Sequence, residues 1–181
     1  MKPLAFFTLL IFILTLSCKS SKSKASDAQI KTLEILVENK NYTIESDWAR
    51  PQVTNAMQQI VNSGLLPAGS SVNAINLIGN SNFLTISGDS ITSYLPYFGE
   101  RQMNVGYGGT DSAIQLQGLL EDYEVVKGKN NRYTISFSAR GKSEKFRINI
   151  VLFPNLKSDI QLTANGRFPI SYTGHVESLE K

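Results

Sequence analysis

Through the C-terminal third of the chain, apolar side chains recur at every second position. Tyr133, Ile135, Phe137 and Ala139 alternate with Thr134, Ser136 and Ser138, and Phe146, Ile148, Ile150 and Leu152 alternate with Lys145, Arg147 and Asn149. Ile160, Leu162 and Ala164, then Phe168, Ile170, Tyr172 and Val176, continue the rhythm. Successive side chains of an extended strand point to opposite faces, so each segment presents one dry face and one wet one. The intervening Gly128-Lys129-Asn130-Asn131, Arg140-Gly141-Lys142 and Asn165-Gly166 are turn sequences, and Asn-Gly is a strong hairpin signal. Strands of this kind must share one buried interior, which excludes a parallel sheet with crossover helices.

The first half extends the pattern. Tyr42, Ile44 and Ser46 alternate with Thr43, Glu45 and Asp47 in a strand ending near Trp48 and Pro51. Further strands are predicted over Val72–Ile78, Phe83–Ser87, Ile91–Leu95, Ala113–Gly118 and Tyr123–Val126. Consecutive strands joined by tight turns usually pair, so the expected fold is mainly β. It is an antiparallel meander forming a curved, barrel-like (lipocalin-like) body, with a two-sheet sandwich as the rival. Two N-terminal α-helices pack on it. Ser26 and Gln29 have capping-box spacing ahead of Ile30, Leu33, Leu36 and Val37, which predicts a helix over Asp27–Glu38. Val53, Met57, Ile60 and Val61 fit a second helix, started by Pro51 and stopped by Ser63-Gly64.

Residues before this domain read as an address. Lys2 precedes an apolar run from Leu4 to Leu16, closed by Ser17 and the chain's one cysteine, Cys18. The order matches a secretory signal, and the run is shorter than the roughly 20 residues of a permanent membrane helix. A small residue followed by a lone Cys predicts a lipoprotein signal peptide over 1–17 and lipidation of Cys18, although Thr15 stands where such signals usually carry Leu. Residues 18–26 form a flexible basic tether and 27–181 a single β-rich domain. Lys2, Lys19, Lys22 and Lys24 all precede Asp27, so the domain keeps 14 basic against 15 acidic residues. That balance speaks against nucleic acid as a partner. With Cys18 acylated, no thiol is left for a disulfide, a metal or a nucleophile.

Catalytic and metal patterns are weak. Gly88-Asp89-Ser90 has the look of an esterase start but is followed by more strand, and the single histidine, His175, falls on the polar side of the last strand with Ser171 and Thr173. Glu121, Asp122 and Glu124 lack calcium-loop spacing and read as a solvated edge. The expectation is therefore no enzyme, no metal and no cofactor. One segment stands out, from Tyr94-Leu95-Pro96-Tyr97-Phe98-Gly99-Glu100-Arg101 to Tyr107-Gly108-Gly109. It is too long and Gly-rich for a hairpin turn, and long loops often carry function. Tyr94, Tyr97, Phe98, Arg101 and Tyr107 are its candidate contact residues for a ligand or partner. The other reading is that these aromatics plug the barrel end.

The stretches ISGDSITSYLPYFGERQ, YGG, EDYEV and FPISYTG together resemble the domain-of-unknown-function family numbered 4251, found in lipoproteins of Bacteroidota. The resemblance runs from about Leu33 to Val176. It implies a β-rich single domain behind a lipid anchor and carries no assigned activity or functional residues. In that group, surface-exported lipoproteins tend to have an acidic run after the cysteine. The basic Lys19-Ser20-Ser21-Lys22 here implies an outer-membrane position facing the periplasm. Asp89-Ser90-Ile91 and Asp111-Ser112-Ala113 match the group's short O-glycan acceptor pattern, making Ser90 and Ser112 candidate glycosylation sites. The functional expectation is a membrane-anchored envelope protein that binds a small apolar or amphipathic molecule or an envelope partner without catalysis. The alternatives are a structural or inhibitory interaction module and, further off, an envelope hydrolase.

Overall fold

The computed structural model describes residues 25–64, 66–100, 113–142 and 144–179. Cys18, Arg101, Tyr107 and Ser112 lie outside them. The elements are helix α1 (Asp27–Asn39), strand β1 (Asn41–Pro51), helix α2 (Asn55–Asn62), β2 (Ile75–Asn76), β3 (Phe83–Ser87), β4 (Ser90–Pro96) and β5 (Ala113–Leu119). They continue with β6 (Glu121–Lys127), β7 (Tyr133–Arg140), β8 (Lys145–Leu152), β9 (Lys157–Ala164) and β10 (Arg167–Ser178). One antiparallel sheet runs β5-β4-β3-β1-β10-β9-β8-β7-β6, with β2 paired to β1. Its two outermost strands are consecutive in the chain, separated by Leu120 alone, and a bridge from Leu116 to Gly141 ties β5 to the end of β7. The sheet therefore curls into a nearly closed barrel, the expected architecture rather than the sandwich. Closure leaves little sheet edge unpaired.

The alternation behaves as expected. Tyr133, Ile135, Phe137 and Ala139 are buried on β7, Phe146, Ile148, Ile150 and Leu152 on β8, and Ile160 and Leu162 on β9, while the residues between them face outward. These side chains join those of β1, β3, β4, β5 and β10 in one hydrophobic cluster. Burial of such side chains stabilises the fold by roughly 1.5–3 kcal/mol each.

Helix α1 closes one end of the barrel with Leu33, Leu36 and Val37, all buried. The predicted capping box is present: Ser26 Oγ accepts from the Gln29 amide at 3.2 Å, and Gln29 Oε1 accepts from the Ser26 amide at 3.0 Å. Ser26→Ala should cost about 1 kcal/mol, read as a lower urea midpoint with an unchanged slope. The helix stops at Lys40, whose left-handed backbone (φ 47°) turns the chain into β1. Lys40 also holds the neighbouring hairpin. Its carbonyl accepts from the Gly88 amide at 2.8 Å and its ammonium sits 2.9 Å from Asp89 Oδ1. The Asp89 carbonyl in turn accepts from the Leu120 amide, so Gly88-Asp89-Ser90 is the tight turn that locks β3–β4 to α1 and to the β5–β6 junction.

Two expected elements differ. Only Ile75–Asn76 of the segment Val72–Ile78 is strand, because Ser71 and Ala74 bond each other in a tight turn and Ser70 Oγ accepts from the Asn76 amide. Polar side chains here offer the backbone partners that compete with a ladder. Helix α2 begins at Asn55 under a Thr54 cap that accepts from the Met57 amide, while Pro51 belongs to β1 and pairs with Ile170. Proline is tolerated there because β2 pairs with β1 only at Trp48 and Ala49, so β1 is an edge strand on that side at Pro51.

Candidate functional site

Strand β1 is interrupted where it matters most. It pairs with β3 up to Ile44–Leu84 and with β2 from Trp48–Asn76, and its register against β10 shifts between Ser46 and Trp48. The extra residue is Asp47. The gap in the ladder is filled by Asn82, a buried side chain whose Oδ1 accepts from the Ser46 amide and whose Nδ2 donates to the Ser46 carbonyl, both at 2.9 Å. Opposite the bulge stands Gly174, which lets β1 sink onto β10. A β-carbon there would lie 1.9 Å from the Glu45 carbonyl oxygen and 2.6 Å from Ser46 Cα. A bulge of this kind re-aims side chains. Here Ser46 faces the interior, Trp48 turns to the outer face beside Thr173, and Asp47 Oδ1 comes within 3.8 Å of His175 Nδ1.

Register extends this outer face across four strands. Trp48, Thr173, Asp159 and Val151 form one row over β1, β10, β9 and β8, and Arg50, Ser171, Gln161 and Asn149 form the next. A cleft of about 640 Å³ lies over the first row toward the α1 end. Its walls come from the β6–β7 turn (Lys129, Arg132), the β8–β9 turn (Phe153, Asn155) and Ala25, where the chain enters the domain. A second depression of about 540 Å³ lies over the next row and shares Asp159 and Thr173 with the first. Together they make one groove. Beneath it, on the inward face of β9 with Ile160 and Leu162, the Ser158 hydroxyl is buried with no hydrogen-bond partner among the described residues.

The opposite end of the barrel is closed by the aromatic segment. Tyr97 is 6% exposed, and its hydroxyl lies 2.9 Å from the Glu100 carbonyl and 3.0 Å from that of Phe168. Phe98 packs against the core. The Tyr172 hydroxyl donates to the Pro96 carbonyl at 2.8 Å, and the Phe168 amide donates to Glu100. The stretches YLPYFG and FPISYTG are thus two halves of one closure. Full burial pushes the Tyr172 phenol well above its ordinary value, so it remains a donor. Arg167 seals the rim: its guanidinium carbon lies 5.0 Å from the Tyr97 ring centroid and 5.5 Å from that of Phe146, and Nε bonds Glu144. Tyr94 alone of the described aromatic candidates faces solvent, opposite Phe83 across the β3–β4 pair.

The remaining candidates are dispersed. Ser90 is exposed beside the Gly88-Asp89 turn. The Ser93 hydroxyl is taken up by β5, accepting from the Leu116 amide at 3.1 Å. His175 lies on the outer face of β10, so neither serine shares its surroundings. Glu121 bonds Lys145 and Arg140, which tie β6 to the β7–β8 turn and hold its carboxyl below the usual value, Lys145 most strongly. The groove itself was not singled out from the sequence. Its residues occupy the wet faces of ordinary strands, and the one available signal was a glycine inside a strand, Gly174.

A solved structure described as a DUF4251 family protein from Bacteroides eggerthii DSM 20697 is similar in fold. The TM-score is 0.56 at 12% identity, covering 83% of this chain and 88% of that one. No curated protein matches the chain. The sequence matches the family described as Domain of unknown function (DUF4251) over residues 24–176. With most of its length accounted for by that match, the chain belongs to the DUF4251 family.

Proposed function

We propose that this protein is a lipid-anchored lipoprotein of the outer membrane, facing the periplasm, which works as a non-enzymatic binding module. The observation that carries the binding reading is the outer groove, a concave surface of mixed apolar and polar lining built over a bulge and rooted in a closely packed barrel. The barrel interior is occupied by side chains of the hydrophobic cluster and capped by α1 at one end and Tyr97 at the other. This favours a ligand held on the outer face over one held inside. Ala25 lines the groove, and the seven residue steps from Cys18 to Ala25 reach at most about 25 Å, so an anchored domain would hold the groove close to the bilayer.

Cell fractionation tests the anchor. The chain should sediment with membranes and Cys18→Ala should release it to the soluble envelope fraction; a variant that still sediments removes the lipid anchor. Crosslinking in the host envelope, followed by native mass spectrometry of the purified chain, tests the module. A bound small molecule or envelope protein is expected, and a clean mass with no crosslinked partner would remove the reading. The interaction-module alternative draws on exposed apolar side chains where the sheet ends meet, Leu119 on β5 and Val126 on β6. Crosslinks confined to that edge would favour it.

A further inference from the structure

We propose that the groove over β1, β10, β9 and β8 is a saccharide site, taking a short uncharged or singly anionic sugar chain with one ring against Trp48. The proposal rests on the binding-module reading and gives the module its ligand class.

Trp48 is the only tryptophan in the chain, and it stands on the wet side of its strand. The bulge, not core packing, places it there. An indole face is a good platform for a pyranose, whose axial C–H bonds present an apolar surface edged by hydroxyls. Around the ring are groups that hydroxyls need. Asp159, Arg132 and Lys157 line the cleft and have no side-chain partner among the described residues. A carboxylate can accept from two neighbouring hydroxyls, while the guanidinium and ammonium donate to ring and hydroxyl oxygens.

Charge narrows the class. Asp47 and Asp159 against Lys129, Arg132 and Lys157 leave one positive charge in the first depression, and Arg50 adds one in the second. That is too little for a polyphosphate or nucleic acid, and a fatty chain would cover the charged and amide side chains along the groove without pairing them. The second depression continues with Asn149, Gln161 and Ser171, side chains that donate and accept equally, as a polyhydroxylated chain does. From β1 to β8 the groove crosses three interstrand intervals, about 14 Å, room for two or three sugar rings.

The test uses the full chain with maltotriose, chitotriose and a hyaluronan disaccharide as probes of hexose, acetamido and uronate chemistry. Because Trp48 is the sole indole, its emission reports occupancy directly. At least one probe should give a saturable change. Asp159→Asn and Gln161→Ala, both on exposed positions, should each weaken binding by about tenfold by calorimetry, with unchanged unfolding midpoints. No saturable response to any of the three at millimolar concentration would overturn the assignment. So would binding indifferent to Asp159→Asn, or an emission change caused only by phosphatidylglycerol vesicles. A small molecule retained in native mass spectra by protein that ignores all three sugars would overturn the saccharide class and leave the binding module standing.

Discussion

Gly174→Ala should destabilise the domain by about 3 kcal/mol or more, at the upper end of what overpacking costs, or abolish folding. Gly174 does not owe its place to a left-handed backbone, since it is absent from the glycines with positive φ. It is required by space. The added carbon would meet the Glu45 carbonyl oxygen at 1.9 Å and the Glu45 carbonyl carbon at 2.8 Å. These are main-chain atoms, and no rotamer change can move them aside. Relief requires β1 to lift off β10 at the bulge, which strains the Asn82 bonds to Ser46 and displaces Asp47 and Trp48. Gly79 is the useful contrast. It has φ +83° and nothing within 4 Å of a built β-carbon, so Gly79→Ala should cost only the left-handed penalty of about 1 kcal/mol. Equilibrium urea unfolding separates the two, and equal costs would show that the β1–β10 contact is looser than the backbone distances require.

Period and turn chemistry made the barrel legible. Tyr133 to Ala139 and Phe146 to Leu152 announce their buried faces residue by residue, and Asn165-Gly166 makes the hairpin that joins β9 to β10. Helix α1 was legible from Ser26 and Gln29 because a capping box is a local device. Non-local devices were harder to see. The bulge leaves a trace, since the buried positions of β1 run Tyr42, Ile44, Ser46 and then change parity to Ala49 and Pro51. The cause of the change lies in Asn82 and Gly174, 36 residues on from Ser46 and on the last strand. Val72–Ile78 misled for the opposite reason: its apolar alternation is real, but Ser70, Ser71 and Asn76 divert the backbone, and Ile78 ends 67% exposed. The groove was illegible because each contributor is unremarkable alone. Asp159, Gln161, Ser171 and Thr173 read as solvated strand faces, and only pairing register sets them side by side.

The same logic explains why the family resemblance rests on the stretches it does. Gly88-Asp89-Ser90 locks the α1 end, while Tyr94 to Gly99 and Ile170 to Gly174 meet at the far end or support the bulge. These are the places where the barrel cannot be closed by alternation alone. Motifs at such points report architecture first, which is why they pointed to a fold more clearly than to a ligand.

Arg167→Ala should cost about 3–5 kcal/mol, because it strands a carboxylate in a nearly dry environment. The Arg167 and Glu144 side chains retain only 10% and 18% of their exposure, and Glu144 Oε2 and one terminal nitrogen of Arg167 already lack partners among the described residues. The guanidinium also lies over the Tyr97 and Phe146 rings, so its removal opens the lid that Tyr97 forms. For a domain of this size the loss corresponds to a melting temperature lower by roughly 10 °C. Pairing Arg167→Met with Glu144→Leu removes both charges and keeps apolar bulk against the rings, and should return most of the lost stability. A double-mutant cycle by thermal unfolding therefore distinguishes a penalty for an unpaired charge from a loss of packing. If Arg167→Ala falls by no more than about 1 kcal/mol, the range of a solvated surface pair, the rim is open to water and Tyr97 alone closes the barrel.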